Sequence, residues 1–306
     1  MEDSQMDKPE ELQMLRTAVE IAGLKPSHVT LPREDQIIIG PMRFHYLDWG
    51  GSGHPILFLH GGGLNAHTWD VACTMLTERY HCIALDQRGH GESEWSPVVD
   101  YGANTQKRDV EGFIAGLQLR NPVLIGQSMG GLNSIAYAID HSSEIKGLVI
   151  VDVGPEINPA GAQRIREFAS TPELDSPEEF LARALKFNPI RNPAVLKRSL
   201  FYNLRQTPAG KWTLKHDQRR ASEQAARIAA AQREGIAGAV GNISCPTLIL
   251  RGALSEVLTD EGAEKFARSL PNARWMRIEN AGHNIQGDNP RGLLDALNPF
   301  LREIGL

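Results

Sequence analysis

The sequence predicts an α/β protein with a mostly parallel sheet of eight strands and helices on both faces of the sheet. Short apolar runs alternate along most of the chain with longer segments whose apolar residues recur at helical spacing. Such alternation implies parallel strands joined by crossover helices. With 306 residues, 41% of them hydrophobic, the chain is long enough to bury one large core.

Residues 1–34 precede this alternation and predict a helical arm. Apolar residues on one stripe between residues 10 and 22 indicate a helix, and Gly23 is placed to end it. The arm could pack on its own domain or on a partner chain. Strands near 37–39 and 43–49 follow, and the Gly40-Pro41 pair between them predicts a hairpin. The later predicted strands are 55–60, 82–86, 122–126, 147–152, 246–251 and 274–279, and the predicted helices are 66–78, 104–119, 129–141, 259–269 and 291–303.

The most informative stretch is residues 126–131, where Ser128 lies in a G-x-S-x-G pattern directly after the apolar run 123–125. This order predicts a strand, a sharp turn and a helix. Gly126 and Gly130 allow the backbones to approach closely at such a turn, which leaves the serine hydroxyl projecting from it. The pattern is typical of a nucleophile elbow, although an ordinary glycine-rich turn could carry the same residues.

A serine nucleophile needs a base, and it needs donors for the oxyanion that forms during attack. The candidate base is His283, in a polar loop after the predicted strand 274–279. A second junction between a strand and glycines, His60-Gly61-Gly62-Gly63, offers unobstructed backbone NH groups. We expect the NH groups of Gly62 and Met129 to form the oxyanion hole.

The acid that orients the base should follow another buried strand. The run 246–251 supplies such a strand, and Glu256 comes four residues after Gly252. The catalytic residues would then occur in the order Ser128, Glu256, His283.

Together these motifs resemble those of the α/β-hydrolase fold superfamily, in particular its lid-bearing serine esterases and lactonases. The resemblance covers roughly residues 35–304 and includes residues 86–93, Asp-Gln-Arg-Gly-His-Gly-Glu-Ser, which are similar to the loop after the fourth strand in that family. It implies a helical lid inserted after strand 6 of the sheet. The expected division is a helical arm at 1–34, a core at 35–154 and 242–306, and a lid at 155–241.

The chain departs from the family's pattern at the triad acid. Relatives usually have an aspartate after the seventh strand, whereas this chain has Gly252-Ala253-Leu254-Ser255-Glu256. Glutamate serves as the acid in related folds, so Glu256 is the first candidate. Asp152, at the end of the predicted strand 147–152, is the alternative, because some relatives take the acid from that position; it could also simply cap the following turn. An impaired acid would make turnover slow.

Residues 155–241 carry helix signals but no strand signal, which predicts a lid of four short helices. Ser176-Pro177-Glu178-Glu179 and Asn192-Pro193 are typical helix starts. Residues 217–233 predict a longer amphipathic helix. Candidate substrate contacts are Gly63, His67, Trp69 and Trp212, and further candidates for the pocket wall are Phe187, Phe201 and Tyr202.

Composition argues against several other classes of protein. The net charge of −5 gives no reason to expect nucleic acid or an anionic membrane as a partner. Three scattered cysteines suggest neither a zinc site nor a disulfide framework. The acidic start of the chain lacks an apolar run, so we expect a cytoplasmic protein. No residue spacing implies a metal or another cofactor, and the oligomeric state stays open between monomer and homo-oligomer.

The sequence therefore predicts a serine hydrolase that cleaves a small-molecule carboxylic ester or lactone through an acyl-enzyme on Ser128. Two alternatives stay open. One is a ligand-binding protein on a hydrolase scaffold, whose triad turns over slowly or not at all. The other is a perhydrolase or acyltransferase, in which something other than water intercepts the acyl-enzyme.

Overall fold

The computed structural model of the protein describes residues 7–221 and 234–306. Strands and helices are numbered separately along the chain. The strands are β1 (Arg33–Ile39), β2 (Met42–Gly50), β3 (Pro55–Leu59), β4 (His81–Leu85), β5 (Val123–Gln127), β6 (Gly147–Val151), β7 (Leu204–Gln206), β8 (Trp212–Leu214), β9 (Thr247–Gly252) and β10 (Ala273–Ile278). The helices are α1 (Lys8–Ile21), α2 (Asp70–Leu76), α3 (Ala103–Gly116), α4 (Met129–His141), α5 (Pro159–Ala169), α6 (Pro177–Phe187), α7 (Pro193–Asn203), α8 (Asp260–Arg268), α9 (Ile285–Asp288) and α10 (Pro290–Glu303). Single turns of 3-10 helix occur at Ala66–Trp69, Ser142–Glu144, Gln218–Ala221 and Val240–Asn242, and residues 234–239 are helical.

The main sheet has eight strands in the order β1-β2-β4-β3-β5-β6-β9-β10. Strand β2 runs antiparallel to both β1 and β4, and all other neighbouring pairs are parallel. The predicted α/β fold with a mostly parallel eight-stranded sheet is therefore confirmed. Among the described residues, no helix combines the length and the apolar character that crossing a bilayer requires.

The register of the central strands brings their carboxyl ends to one edge of the sheet. Leu59 of β3 pairs with Gly126 of β5, and Gln127 pairs with Val151 of β6. Val151 in turn pairs with Leu250 of β9. The loops that follow these strands therefore emerge side by side, where a ligand between them can be contacted from several strands.

Alternating side chains of the central strands fill two cores, one on each face of the sheet. Ile56 and Phe58 of β3 pack with helices α2 and α10, whereas Leu57 and Leu59 pack with α3, α4 and α8. This alternation follows from the two-residue period of a β-strand. Both faces of the sheet are therefore buried, which fixes the register of each strand.

Helix α1 packs on the same chain rather than standing apart from it. Leu15 and Val19 join the core on the face of α2 and α10. The Asp7 side chain caps the helix by accepting the Glu10 NH at 2.8 Å. A hydrogen bond from the Tyr202 hydroxyl to Glu11, 2.6 Å long, joins α1 to helix α7. The sequence leaves open whether the arm packs on its own domain or on a partner chain, and in this structure it packs on its own domain.

The segment between β6 and β9 contains residues 155–241, which are called the insertion below. Helices α5, α6 and α7 each begin with proline after an asparagine or serine cap, as local sequence predicts for α6 and α7. The prediction of no strand in the insertion was wrong, because β7 and β8 form a hairpin. These strands have three residues each, too few to show a periodic pattern in the sequence. Most of the helix predicted over 217–233 lies outside the described residues, and the domain boundaries stay a prediction.

Candidate active site

Ser128 lies at a sharp turn between β5 and α4. Its φ of 51° and ψ of −114° are uncommon for a residue with a side chain. A Cβ at Gly126 would lie 2.3 Å from the Gly130 carbonyl oxygen, and a Cβ at Gly130 would lie 2.2 Å from that of Leu59. Only glycine fits at either position, because both neighbours are backbone atoms. The turn therefore has the close-packed geometry of a nucleophile elbow.

The Asp152 carboxylate lies next to His283. His283 Nδ1 is 2.7 Å from Asp152 Oδ2, and the Asp152 side chain is 0% exposed. The Gly252 NH donates to Asp152 Oδ1 at 2.9 Å, and the Ser255 hydroxyl donates to Oδ2. Three donors therefore surround this buried carboxylate and fix its orientation.

The expectation that Glu256 orients His283 is corrected by this geometry. Glu256 is 59% exposed and pairs with Arg164 of α5 at 2.7 Å. The loop after β9 turns so that Ser255 faces Asp152, and the next side chain points to the insertion. The carboxylate beside His283 is that of the alternative, Asp152, which directly follows Val151, and Val151 pairs with Gln127 just before Ser128.

The predicted oxyanion donors lie beside the serine. A Cβ built on Gly62 would lie 4.0 Å from the Met129 Cβ, so these two residues are neighbours. Met129 is the first residue of α4, and its NH has no partner within the helix. Among the hydrogen bonds of the described residues, neither the Gly62 NH nor the Met129 NH has an acceptor. Both donors are therefore available to a ligand.

A cavity of about 300 Å³ opens at Ser128 and His283. The loops of the sheet edge supply its polar floor, including Gly62 and Gly63. Its walls are mostly apolar and come mainly from the insertion; among them are Ile165, Phe168, Phe180, Phe187, Leu196, Leu200 and Leu214. The insertion therefore covers the catalytic edge and shapes the space above the serine.

The two arginines in the described part of the cavity wall each have a carboxylate partner. Arg164 pairs with Glu256 at 2.7 Å, and Arg191 Nε donates to Asp288 at 2.9 Å. Each pair matches one positive with one negative charge. Neither arginine therefore presents an uncompensated charge to a ligand.

Only some of the predicted substrate contacts lie at the cavity. Gly63 and Phe187 line it, whereas the other candidates do not appear in the part of the wall that the structure describes. Trp69 is 0% exposed and packs on Phe58 of the core. His67 stacks on Tyr202 and hydrogen-bonds to Asp70. Trp212 lies in the β7–β8 hairpin and forms a β-bridge with Leu174. Phe201 makes an edge contact with Tyr202.

The wall residues that the sequence analysis missed lie mainly on α5 and α7. Ile165, Phe168, Leu196 and Leu200 have helical spacing, but an isolated amphipathic helix does not reveal whether its apolar face covers a cavity or fills a core. Spacing alone could have placed these residues on the apolar faces of their two helices. Only the packing of the helices identifies them as a pocket wall.

A buried histidine braces the glycine loop below the cavity. His60 Nδ1 lies 2.8 Å from the Gly61 carbonyl oxygen, and Nε2 accepts the Gln87 NH at 2.9 Å. Burial lowers the pKa of His60 to about 4. Burial and the nearby Arg220 likewise lower the pKa of His216, which lies above Gly63, to about 4. Both rings are therefore neutral near pH 7.

Asp86 and His45 form a buried pair that holds the end of the glycine loop. Asp86 Oδ1 accepts the Ala66 NH at 2.7 Å, and its other oxygen lies 2.8 Å from His45 Nδ1. Burial opposes ionisation of Asp86, but the His45 contact outweighs it and lowers the pKa of Asp86 to about 2. Burial would also lower the pKa of His45, yet Asp86 and Glu34 raise it to about 9. An ion pair thus anchors the segment that follows the glycines.

Comparison with known proteins gives a consistent set of relatives. The family model described as the alpha/beta hydrolase fold matches residues 54–290. The esterase Rv0045c of Mycobacterium tuberculosis is 29% identical, over 98% of this chain and 99% of its own. A crystal structure of that esterase superposes with a TM-score of 0.78 over 98% of this chain and 100% of its own.

More distant relatives widen the range of named activities. The sn-1-specific diacylglycerol lipase ABHD11 of Mus musculus is 28% identical, over 85% of each chain. The crystal structure of E-2-(acetamidomethylene)succinate hydrolase, 24% identical, superposes with a TM-score of 0.80 over 89% of this chain and 99% of its own, a likeness of fold alone. The names of these three relatives are hydrolytic and differ in substrate, whereas another relative, 27% identical over 83% of this chain, is named the non-heme chloroperoxidase CPO-A1 of Kitasatospora aureofaciens.

Proposed function

The chain belongs to the α/β-hydrolase fold family, and from that membership we propose that it hydrolyses uncharged carboxylic esters or lactones through an acyl-enzyme on Ser128. One observation carries the proposal: His283 hydrogen-bonds to the fully buried Asp152 at the sheet edge where Ser128 adopts a left-handed conformation. A serine, a histidine and a carboxylate in loops that meet at one edge of the sheet are the parts that acyl transfer requires.

In this mechanism His283 acts first as a base and then as an acid. Its Nδ1–H donates to Asp152, which leaves Nε2 to accept the proton of the Ser128 hydroxyl as the serine oxygen attacks the carbonyl carbon. Protonated His283 then gives this proton to the leaving alcohol as the ester bond breaks. Water attacks the acyl-enzyme in the same way and releases the acid. Asp152 orients the imidazole and stabilises its positive charge throughout.

The Gly62 and Met129 NH groups would hold the oxygen of the tetrahedral intermediate. The Met129 NH lies at the amino end of α4, where the helix dipole favours negative charge. Loss of one such donor typically lowers kcat on the order of 10² to 10³-fold.

The cavity supports an apolar substrate of modest size. A volume of about 300 Å³ holds on the order of ten groups of the size of water or methylene. Aromatic and aliphatic side chains form most of its wall, and both arginines in the wall are paired. These features favour an uncharged ester with a medium-length acyl chain or a small ring over an anionic substrate.

The geometry weakens the case for a purely ligand-binding protein. That alternative rested on a glutamate in place of the usual acid, but the residue at His283 is Asp152. Perhydrolase and acyltransferase reactions would use the same acyl-enzyme. Product analysis in the presence of hydrogen peroxide or a primary alcohol separates them from hydrolysis.

The deciding experiment compares wild type with Ser128→Ala on p-nitrophenyl esters from acetate to dodecanoate and on simple lactones. Wild type should turn over at least one series, and Ser128→Ala should lose about 10⁴-fold or more in kcat. Mass spectrometry of quenched wild type should find the acyl group on Ser128.

The control is Ser134→Ala, which removes a nearby hydroxyl from helix α4. Ser134 donates to the Gly130 carbonyl oxygen at 2.8 Å and does not line the cavity. This variant should keep kcat within a few-fold of wild type. Equal rates for wild type and Ser128→Ala on every ester would refute the proposed mechanism.

A further inference from the structure

Asp288, at the end of α9, is a completely buried carboxylate near the cavity that has no direct contact with His283 among the described hydrogen bonds. Its side chain is 0% exposed. Oδ2 accepts the Gly282 NH at 2.9 Å. Oδ1 accepts Asn188 Nδ2 at 2.9 Å and Arg191 Nε at 2.9 Å. One carboxylate therefore receives donors from two parts of the chain that are far apart in sequence.

The two groups of donors belong to different parts of the site. Gly282 directly precedes His283, so its NH fixes the backbone on the amino side of the catalytic histidine. Residues 188–191 form the turn between α6 and α7, called the roof turn below, and all four line the cavity. Asp288 thus connects the cavity wall that a substrate would touch with the loop that carries His283, the proposed base.

The backbone of His283 is held on its other side as well. Gln127 Nε2 donates to the His283 carbonyl oxygen at 2.9 Å. On the amino side, the Leu254 NH also donates to the Ala281 carbonyl oxygen at 2.8 Å. The ring is fixed by Asp152. Asp288 supplies the remaining anchor of this loop, and it is the anchor that also reaches the insertion.

Burial makes the position of the roof turn and that of Gly282 depend on each other. A carboxylate removed from water needs compensating donors, and a buried ion pair that loses one partner leaves an uncompensated charge. Movement of the roof turn away from the core would withdraw Arg191 and Asn188 together. Asp288 would then reorient toward water, and the hydrogen bond with Gly282 would be lost.

We propose that Asp288 is a positioning residue that couples the seating of the roof turn to the orientation of His283. This inference rests on the proposed function, since it assigns His283 the role of the base. Substrate beneath the roof turn would keep the turn in contact with Asp288, and Asp288 would hold the histidine loop in the geometry that proton transfer needs. A small misplacement of such a group lowers the rate markedly.

The test compares Asp288→Asn with a matched control, Asp70→Asn. Asp70 is also a buried carboxylate paired with an arginine of the insertion, Arg198, with side chains 1% and 7% exposed. Asp70 does not line the cavity, and none of the described hydrogen bonds joins its side chain to the loop of His283. Both variants replace a buried charge with an amide of the same shape, so both should lower thermal stability.

Steady-state kinetics on the best p-nitrophenyl ester, well below both unfolding transitions, should separate the two variants. Asp288→Asn should lower kcat by roughly 10- to 100-fold with KM within about threefold, because positioning and not binding is lost. Asp70→Asn should keep kcat within about threefold. Equal losses in the two variants, or a change confined to KM, would overturn the coupling.

Two milder variants cover the case in which Asp288→Asn does not fold. Arg191→Lys keeps the charge but loses the fork that reaches Asp288, and Asn188→Ala removes one neutral donor. Each should lower kcat by roughly three- to tenfold, and wild-type kcat in both would overturn the inference. Ser128→Ala is assayed alongside: if it is as active as wild type, the proposed function fails, whereas an inactive Ser128→Ala with an unaffected Asp288→Asn rejects the coupling alone.

Discussion

The catalytic edge of the sheet and the insertion above it are built in different ways. At the edge, backbone meets backbone: a Cβ at Gly252 would lie 2.1 Å from the Gly282 carbonyl oxygen, as close as the clashes at the elbow. In the insertion, helices begin at their own local caps and present side chains such as Phe168 and Phe187 to the cavity. The comparison teaches that close backbone packing fixes the turn at Ser128, whereas exchangeable side chains form most of the cavity wall.

The largest expected effect is a loss of kcat that distinguishes Asp152 from Glu256, the two candidates for the acid that orients His283. Asp152→Asn should lower kcat by about 10⁴-fold, because an amide cannot hold His283 in the tautomer that leaves Nε2 free to accept a proton. The measurement is kcat on an aryl ester, with thermal unfolding to confirm that the fold is kept.

Glu256→Gln is the matched control for that variant. Its side chain is 59% exposed and faces Arg164, so kcat on neutral esters should stay within about threefold. A larger loss in Glu256→Gln than in Asp152→Asn would mean that the geometry at His283 does not describe the working enzyme.

Acid should act at the boundary between the two regions. The pKa of both His60 and His216 is lowered from 6.5 to about 4, so below pH 6.5 the unfolded chain binds protons that the folded chain does not. The free energy of unfolding should therefore fall as the pH drops from about 6.5 to about 4, by up to about 3 kcal/mol per histidine. Urea unfolding at pH 7, 6 and 5 measures this loss.

A variant at His216 and the buried pair of His45 and Asp86 make the pH experiment more specific. His216→Phe should remove only the part of the loss that His216 contributes, because burial also lowers the pKa of His60 and of His90. An unchanged pH dependence would show that His216 does not contribute. Inside the core, the pKa of His45 is raised to about 9, so its pairing with Asp86 stabilises the fold below pH 6.5 and is lost as the pH rises through about 9. The core pair and the boundary histidines should thus respond to pH in opposite directions.

A change in the wall should alter specificity without altering the chemistry. Phe187 stacks on Phe168 with ring centroids 4.3 Å apart, and both line the cavity. Phe187→Ala should shift the ratio of kcat/KM toward bulkier acyl groups by about tenfold, because a pocket rejects or accepts each added methylene by a modest factor. Competition between p-nitrophenyl butyrate and a branched ester measures the ratio; a uniform loss across all esters would place Phe187 in the support of the site instead.

The smallest effect concerns charge at the cavity. Glu256→Gln leaves Arg164 without its partner, so esters that carry a carboxylate on the acyl group should gain about two- to fivefold in kcat/KM relative to neutral esters. The double variant Glu256→Gln with Arg164→Gln should remove the gain. A gain that persists in the double variant would exclude Arg164 as its source.

The fold and the sharp turn at Ser128 could be predicted because their signals are local. The elbow needs glycines at 126 and 130 around Ser128, and the structure shows backbone atoms within 2.3 Å of where their Cβ atoms would be. The strands of the parallel sheet appear as short apolar runs, since both faces are buried. Neither inference requires knowledge of which strands are neighbours.

The acid and the pocket could not be predicted in the same way. The choice between Asp152 and Glu256 depends on how the loop after β9 turns, and both residues follow a buried strand in the sequence. In the structure Ser255 takes the place beside Asp152 and directs Glu256 outward. The pocket wall likewise depends on how α5, α6 and α7 pack against the catalytic edge, which no single helix encodes.

The left-handed backbone at the elbow also concerns protein engineering. Ser128 has a φ of 51° and Asp152 a φ of 54°, conformations that glycine adopts at much lower cost than either residue. Two unfavourable conformations thus lie at neighbouring strand ends. Loss of the Asp152 carboxylate would leave its buried donors unpaired, so the conformational gain at that position is offset. A screen that selects this protein for heat resistance alone should therefore favour Ser128→Gly, which removes the proposed nucleophile, so such a screen should select for activity in the same round.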